Sequence, residues 1–110
     1  MKKLLHVFPL LLGLACFVAT AGDDATALVT IKDYKFVPQN ITIKVGQTIT
    51  WENREKRQYH SVWFEALGEA EPEDYLFPDD TYERSFDKSG TFPYRCGPHP
   101  EMTGTVTVTE

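Results

Sequence analysis

The side chains able to do metal or nucleophilic chemistry in this chain are few, and most are gathered in one place. The stretch CGPHPEM, residues 96–102, puts a thiol at Cys96, an imidazole at His99 and a thioether at Met102, with Pro98 and Pro100 on either side of the histidine. The whole sequence contains two Cys, three His and two Met. Met1, His6 and Cys16 lie in an N-terminal stretch with the marks of a secretory leader. If that stretch is removed, His60, Cys96, His99 and Met102 are the complete set of soft donors. Alone, each has an ordinary role as a strand histidine, a small buried thiol or a core methionine. As a set they suit a metal. Structural zinc sites take Cys and His in a closed tetrahedron and make no use of a thioether. Two His and one Cys in a plane, with a weak axial Met, form the arrangement used for copper electron transfer.

The leader reading rests on three features of MKKLLHVFPLLLGLACFVATAG. Lys2 and Lys3 are followed by a short apolar run, and Ala19-Thr20-Ala21 offers small residues for cleavage before Gly22. Residues 1–21 are therefore expected to be a signal peptide and 22–110 one exported domain. Lipidation at Cys16 is disfavoured because Gly13 stands where a bulky aliphatic residue belongs. An exported chain left with one cysteine has no internal disulfide available, which favours a metal-ligand role for Cys96. The formal charge is −5, and losing Lys2 and Lys3 makes the balance more acidic. A net acidic domain without a basic stripe argues against nucleic acid and against insertion into anionic membranes.

The elements that must position these donors read as strands. ALVTIK (27–32), NITIKV (40–45), TITWEN (48–53), YHSVWFE (59–65), TYERSF (81–86), TFPYRC (91–96) and MTGTVTVT (102–109) alternate apolar and polar residues, rich in β-branched and aromatic types. Ile41, Ile43 and Val45 share one face by this count. Many short strands with close turn signals mean an all-β sandwich or barrel. Parity sends His60 to the side of Val62 and Phe64, Cys96 to that of Tyr94, and Met102 to that of Val106 and Val108. Residues 66–80, ALGEAEPEDYLFPDD, carry six carboxylates and read as a long surface loop with a helical turn. Trp63 opposes Val62 and Phe64 in parity, so it is expected to face outward beneath that loop. Pro98 has no N–H, which leaves the backbone N–H of residue 61 as the expected donor to the Cys96 sulfur.

From about Val29 to Thr109 the sequence resembles the cupredoxins, the type 1 blue copper family. The resemblance runs through WENRE (51–55), His60, GTFPYRCGPHPEM (90–102) and GTVTV (104–108), and the Cys-x2-His-x2-Met spacing is that of the amicyanin type. It implies a Greek-key β-sandwich of seven or eight strands and one copper held by His60, Cys96, His99 and Met102. It also implies a soluble, monomeric periplasmic protein that shuttles single electrons and is not an enzyme. Expected partners are redox proteins such as a c-type cytochrome or a periplasmic dehydrogenase, steered by the carboxylates at 69–80 and Glu101. Gly97, Pro98, Pro100 and the Val37-Pro38 pair are expected to surround His99 as an apolar patch. Ser61 stands where the family carries Asn to tie the two ligand segments together. The competing function is a copper carrier, buffer or sensor without electron relay.

Overall fold

The computed structural model describes residues 26–110, so the expected signal peptide, with Cys16, lies outside the described residues. Seven strands form two sheets. They are β1 (Ala27–Lys32), β2 (Lys35–Val37), β3 (Asn40–Lys44), β4 (Thr48–Asn53), β5 (Thr81–Ser85), β6 (Gly90–Arg95) and β7 (Thr103–Thr109). One sheet has the order β2-β1-β4-β5 and the other β3-β7-β6. The pairs β1–β4 and β3–β7 are parallel and the rest antiparallel. The expected β-sandwich is the observed fold.

Alternation determines which side chains meet between the sheets. Val29, Ile31, Ile49 and Trp51 are fully buried from one sheet, and Tyr94, Val106 and Val108 are buried from the other. Each large apolar side chain so buried contributes about 1.5–3 kcal/mol. Trp51 Nε1 donates to the Tyr94 hydroxyl at 3.2 Å, so these two buried polar groups satisfy each other across the sheets. Burial pushes the Tyr94 hydroxyl up to about 12. Gly104 leaves room for that ring: a Cβ there would lie 2.5 Å from the Tyr94 oxygen. Substitution at Gly104 would therefore displace Tyr94 from its position below the ligand loop.

Two expectations fail. Val45 does not share the inward face of Ile43; it is 40% exposed. The strand ends at Lys44, and the chain turns through Gly46 at φ +93°, closed by the Gln47 N–H on the Lys44 carbonyl at 3.0 Å. Residues 59–65 are not a strand. They carry only isolated bridges, His60 to Leu76 and Trp63 to Arg95, followed by a 3-10 turn at Glu65–Leu67. The inward burial of His60, Val62 and Phe64 is nonetheless as expected. Trp63 is partly covered, as expected: Nε1 donates to the Glu69 carbonyl at 2.8 Å, and the Arg95 guanidinium lies 4.7 Å from its ring centre.

Candidate metal centre

The Cys96–Met102 arm is a short connection between two paired strands, β6 and β7. Cys96 N–H donates to the Met102 carbonyl at 3.0 Å, and Met102 N–H to the His99 carbonyl at 2.9 Å. This closes the loop on itself. Arg95 adds an outer brace: Nε donates to the Cys96 carbonyl at 3.1 Å and a terminal nitrogen to the Gly97 carbonyl at 2.8 Å. Pro98 and Pro100 fix φ on both sides of His99. Cys96 is fully buried, Met102 is 3% exposed and His99 is half-buried.

The His60 arm is held differently. His60 exchanges both backbone hydrogen bonds with Leu76, at 3.0 and 2.7 Å. Asn53, at the end of β4 and fully buried, ties the segment together. Its amide donates to the Gln58 and Leu76 carbonyls at 2.9 and 2.8 Å and accepts from Glu55 N–H at 2.9 Å. That turn aims Glu55 at His60, with Oε2 2.9 Å from Nε2. A carboxylate there keeps the imidazole proton on Nε2 and leaves Nδ1 as a lone pair facing inward. Burial raises the Glu55 carboxyl, but hydrogen bonds from Tyr34 N–H and His60 outweigh it and hold it below the usual range. Burial pushes His60 below its ordinary value despite Glu55. The Cys96 thiol is pushed up by burial, partly offset by hydrogen bonds from Ser61.

The two arms meet where the sequence places them. His60 Nδ1, His99 Nδ1 and Cys96 Sγ all lie within 4.8 Å of one another. The nitrogens are 3.2 Å apart, and the sulfur is 3.7 Å from His60 Nδ1 and 3.5 Å from His99 Nδ1. Metal–nitrogen bonds of about 2.0 Å and a metal–sulfur bond of about 2.3 Å, spread in a trigonal plane, require about 3.5 Å between nitrogens and about 3.7 Å between nitrogen and sulfur. The observed triangle fits. Three lone-pair atoms converging in a buried space also call for a cation between them.

Ser61, at the position where the resemblance implies Asn, ties the two arms together. Its Oγ accepts from Gly97 N–H at 2.9 Å, and its own N–H points at Cys96 Sγ at 3.4 Å, the donor expected from the sequence. Of the expected apolar patch, Gly97 is buried, while the rings of His60 and Tyr34 lie 5.0 Å from the His99 ring and that of Tyr59 6.5 Å. The roles of Tyr34, Asn53, Glu55 and Arg95 were not legible in the sequence. The only signal was their place in quoted runs, Asn53 and Glu55 in WENRE and Arg95 beside Cys96. Tyr34 carried none: it adopts φ +59° in a tight turn after Asp33, a conformation usual for Asn or Gly.

Comparison with known proteins agrees with this geometry. Residues 5–108 match the cupredoxin-like domain family. The chain is 38% identical over 95 residues to amicyanin of Paracoccus denitrificans, covering 84% of this chain and 72% of that protein. It is 40% identical over 97 residues to plastocyanin of Scenedesmus fuscus, covering 79% and 93%. Among solved structures, a reduced amicyanin variant superposes with a TM-score of 0.69 at 34% identity, covering 76% of this chain and 82% of the other. A copper-containing nitrite reductase from Thermus scotoductus shares the fold at a TM-score of 0.68 and 24% identity, with 78% of this chain and 23% of that one aligned. With its sandwich, its converging donors and these relatives, the chain belongs to the cupredoxin-like domain family.

Proposed function

We propose that His60, Cys96, His99 and Met102 hold one copper ion as a type 1 centre, and that the protein carries single electrons between redox proteins outside the cytoplasm. The observation that carries this reading is the triangle of Nδ1, Nδ1 and Sγ atoms drawn from two distant segments. Copper, when bound, supplies a one-electron couple whose two oxidation states tolerate the same mixed donor set. The chain's own residues do the rest. The closed Cys96–Met102 loop and the Glu55-held imidazole keep the donors in place as the charge at the centre changes. The Ser61 N–H places a hydrogen bond on sulfur. Full burial of His60 and Cys96 keeps water from the donor atoms, while half-buried His99 gives the electron its way out.

The reading is of a carrier and not an enzyme. With copper bound, buried Met102 would take the position an enzyme leaves open for substrate, and His60 and His99 are the only histidines outside residues 1–21. Export through residues 1–21, a monomeric state and partners such as a c-type cytochrome or a periplasmic dehydrogenase belong to the same proposal. No helix among the described residues is long and apolar enough to cross a membrane. Adding copper(II) to the apoprotein is expected to give an intense thiolate-to-copper colour and a reversible one-electron voltammogram. A colourless complex that surrenders its copper readily to a chelator would instead indicate a metal carrier.

A further inference from the structure

Gly97 is buried where the two arms touch, and nothing in its backbone calls for glycine. Its φ is not among the positive values that Gly46, Gly68 and Gly90 adopt. What calls for glycine is space. A Cβ at this position would collide with Glu71 Oε2 and lie 2.9 Å from Ser61 Oγ. The Glu71 carboxylate therefore rests against the residue that follows Cys96, in a notch left open by the missing side chain. Glu71 is otherwise exposed, and no cation among the described residues pairs with it.

The carbonyls of the same two residues carry a cation. Arg95 Nε donates to the Cys96 carbonyl and a terminal nitrogen to that of Gly97, while the guanidinium packs on the Trp63 ring. The Arg95 side chain is only 25% exposed. Its carboxylate partner, Glu65 at 3.2 Å, is 53% exposed, so water weakens the neutralisation it provides. A neutral amide could serve either carbonyl; a guanidinium adds a fixed charge. The Cys96–Gly97 unit thus has a cation on its carbonyls and an anion at the Gly97 α-carbon. Oxidising a copper centre adds one positive charge at the donors, which a nearby cation opposes and a nearby anion favours.

We infer that Arg95 and Glu71 are an opposed pair of charges that sets the reduction potential of the site, Arg95 holding it up and Glu71 drawing it down. Neither touches a donor atom; both act through the field at Cys96. When one electron passes from the site to a partner's centre, one is oxidised as the other is reduced, and the two charges bias that exchange in opposite senses. The acidic segment 66–80 thereby reaches the metal centre itself through Glu71. This inference rests on the electron-carrier reading and names residues that tune it.

The test equilibrates the copper-loaded protein and its variants with a redox dye and reads the ratio of copper(I) to copper(II) from the thiolate absorption. At low ionic strength Arg95→Gln is expected to shift that ratio about threefold to tenfold toward copper(II). Glu71→Gln is expected to shift it about twofold to fivefold toward copper(I), and by less in high salt because the carboxylate is exposed. The double variant returns close to the unsubstituted ratio. Arg95→Lys keeps the charge without the two-carbonyl fork and is expected to stay within about twofold. Shifts of one sign in both single variants, an Arg95→Lys shift equal to that of Arg95→Gln, or a ratio unmoved in either single variant would overturn the inference. The substitutions would then act through the shape of the loop or not at all. If Arg95→Gln loses its dispersed amide spectrum, Glu71→Gln decides, by the sign of its shift and its decline with salt. Absence of a reversible couple in the unsubstituted protein would instead overturn the carrier reading, and this inference with it.

Discussion

The two arms of the site reach the same point by unlike means. The Cys96–Met102 arm is a short loop between paired strands, closed by backbone hydrogen bonds and stiffened by two prolines. The His60 arm belongs to an irregular stretch between β4 and β5 with only isolated bridges. What it lacks in ladder it recovers from side chains: Asn53 holds the turn, Glu55 holds the imidazole, and Leu76 holds the backbone. The comparison teaches that a rigid donor set does not require regular secondary structure at every donor. It requires that every polar group near the donor be satisfied. The loop arm is expected to tolerate substitution of its outer neighbours, whereas the His60 arm depends on a few buried polar side chains.

Breaking the His60 arm gives the largest expected effect. Asn53→Ala removes three hydrogen bonds from a fully buried position and leaves the Leu76 and Gln58 carbonyls short of a donor. A loss of about 3 kcal/mol in urea unfolding of the apoprotein is expected. A loss under about 1 kcal/mol would mean that the arm is held elsewhere. Glu55→Gln comes next: it keeps an acceptor for His60 Nε2 and removes the charge. Copper affinity is expected to fall about 10–100-fold. The reduction potential should rise, because the carboxylate favours the more positive copper state. Competition with a chelator and voltammetry measure the two.

Acid should attack the same arm in two stages. His60 is held below its ordinary value of 6.5 by burial, so its neutral form is favoured in the folded apoprotein. That contribution is present above pH 6.5 and is lost as the pH falls from there through the lowered folded value. Glu55 is held below 4.5, so its contribution persists to lower pH and fades as the pH falls from 4.5 through its folded value. Thermal unfolding across pH should show both declines, and Glu55→Gln should remove the second. Ser61→Ala is smaller: it strands Gly97 N–H where the two arms touch, at about 1–2 kcal/mol. It should also shift the thiolate absorption band. Smallest is Arg54→Ala, whose ion pairs with Glu52 and Asp79 are solvent-exposed; a change within about 0.5 kcal/mol is expected.

The same contrast separates what the sequence showed from what it hid. The donors were legible because the census of rare side chains and strand parity agreed, and both depend on local spacing. β4 was read with its observed ends, and Val29 and Ile31 prove to be the inward residues of β1. The stretch 59–65 alternates like a strand but is not one, because alternation reports which side is buried and not whether a neighbouring ladder exists. Val45 continued the alternation of β3 past the turn at Gly46 that ends it. Glu55 and Asn53 could not be found as supports, since each acts on atoms brought near by the fold, and no spacing in the chain encodes that approach. The acidic segment was read correctly as a surface loop, but its bridge to His60 depends on pairing across a gap with no periodic signal.

The most direct measurement of the central claim is X-ray absorption at the copper edge of the metal-loaded protein, in both oxidation states. The account predicts one short copper–sulfur bond and two nitrogen neighbours that persist with little change between the states. A first shell of nitrogen and oxygen alone, with no sulfur, would contradict it.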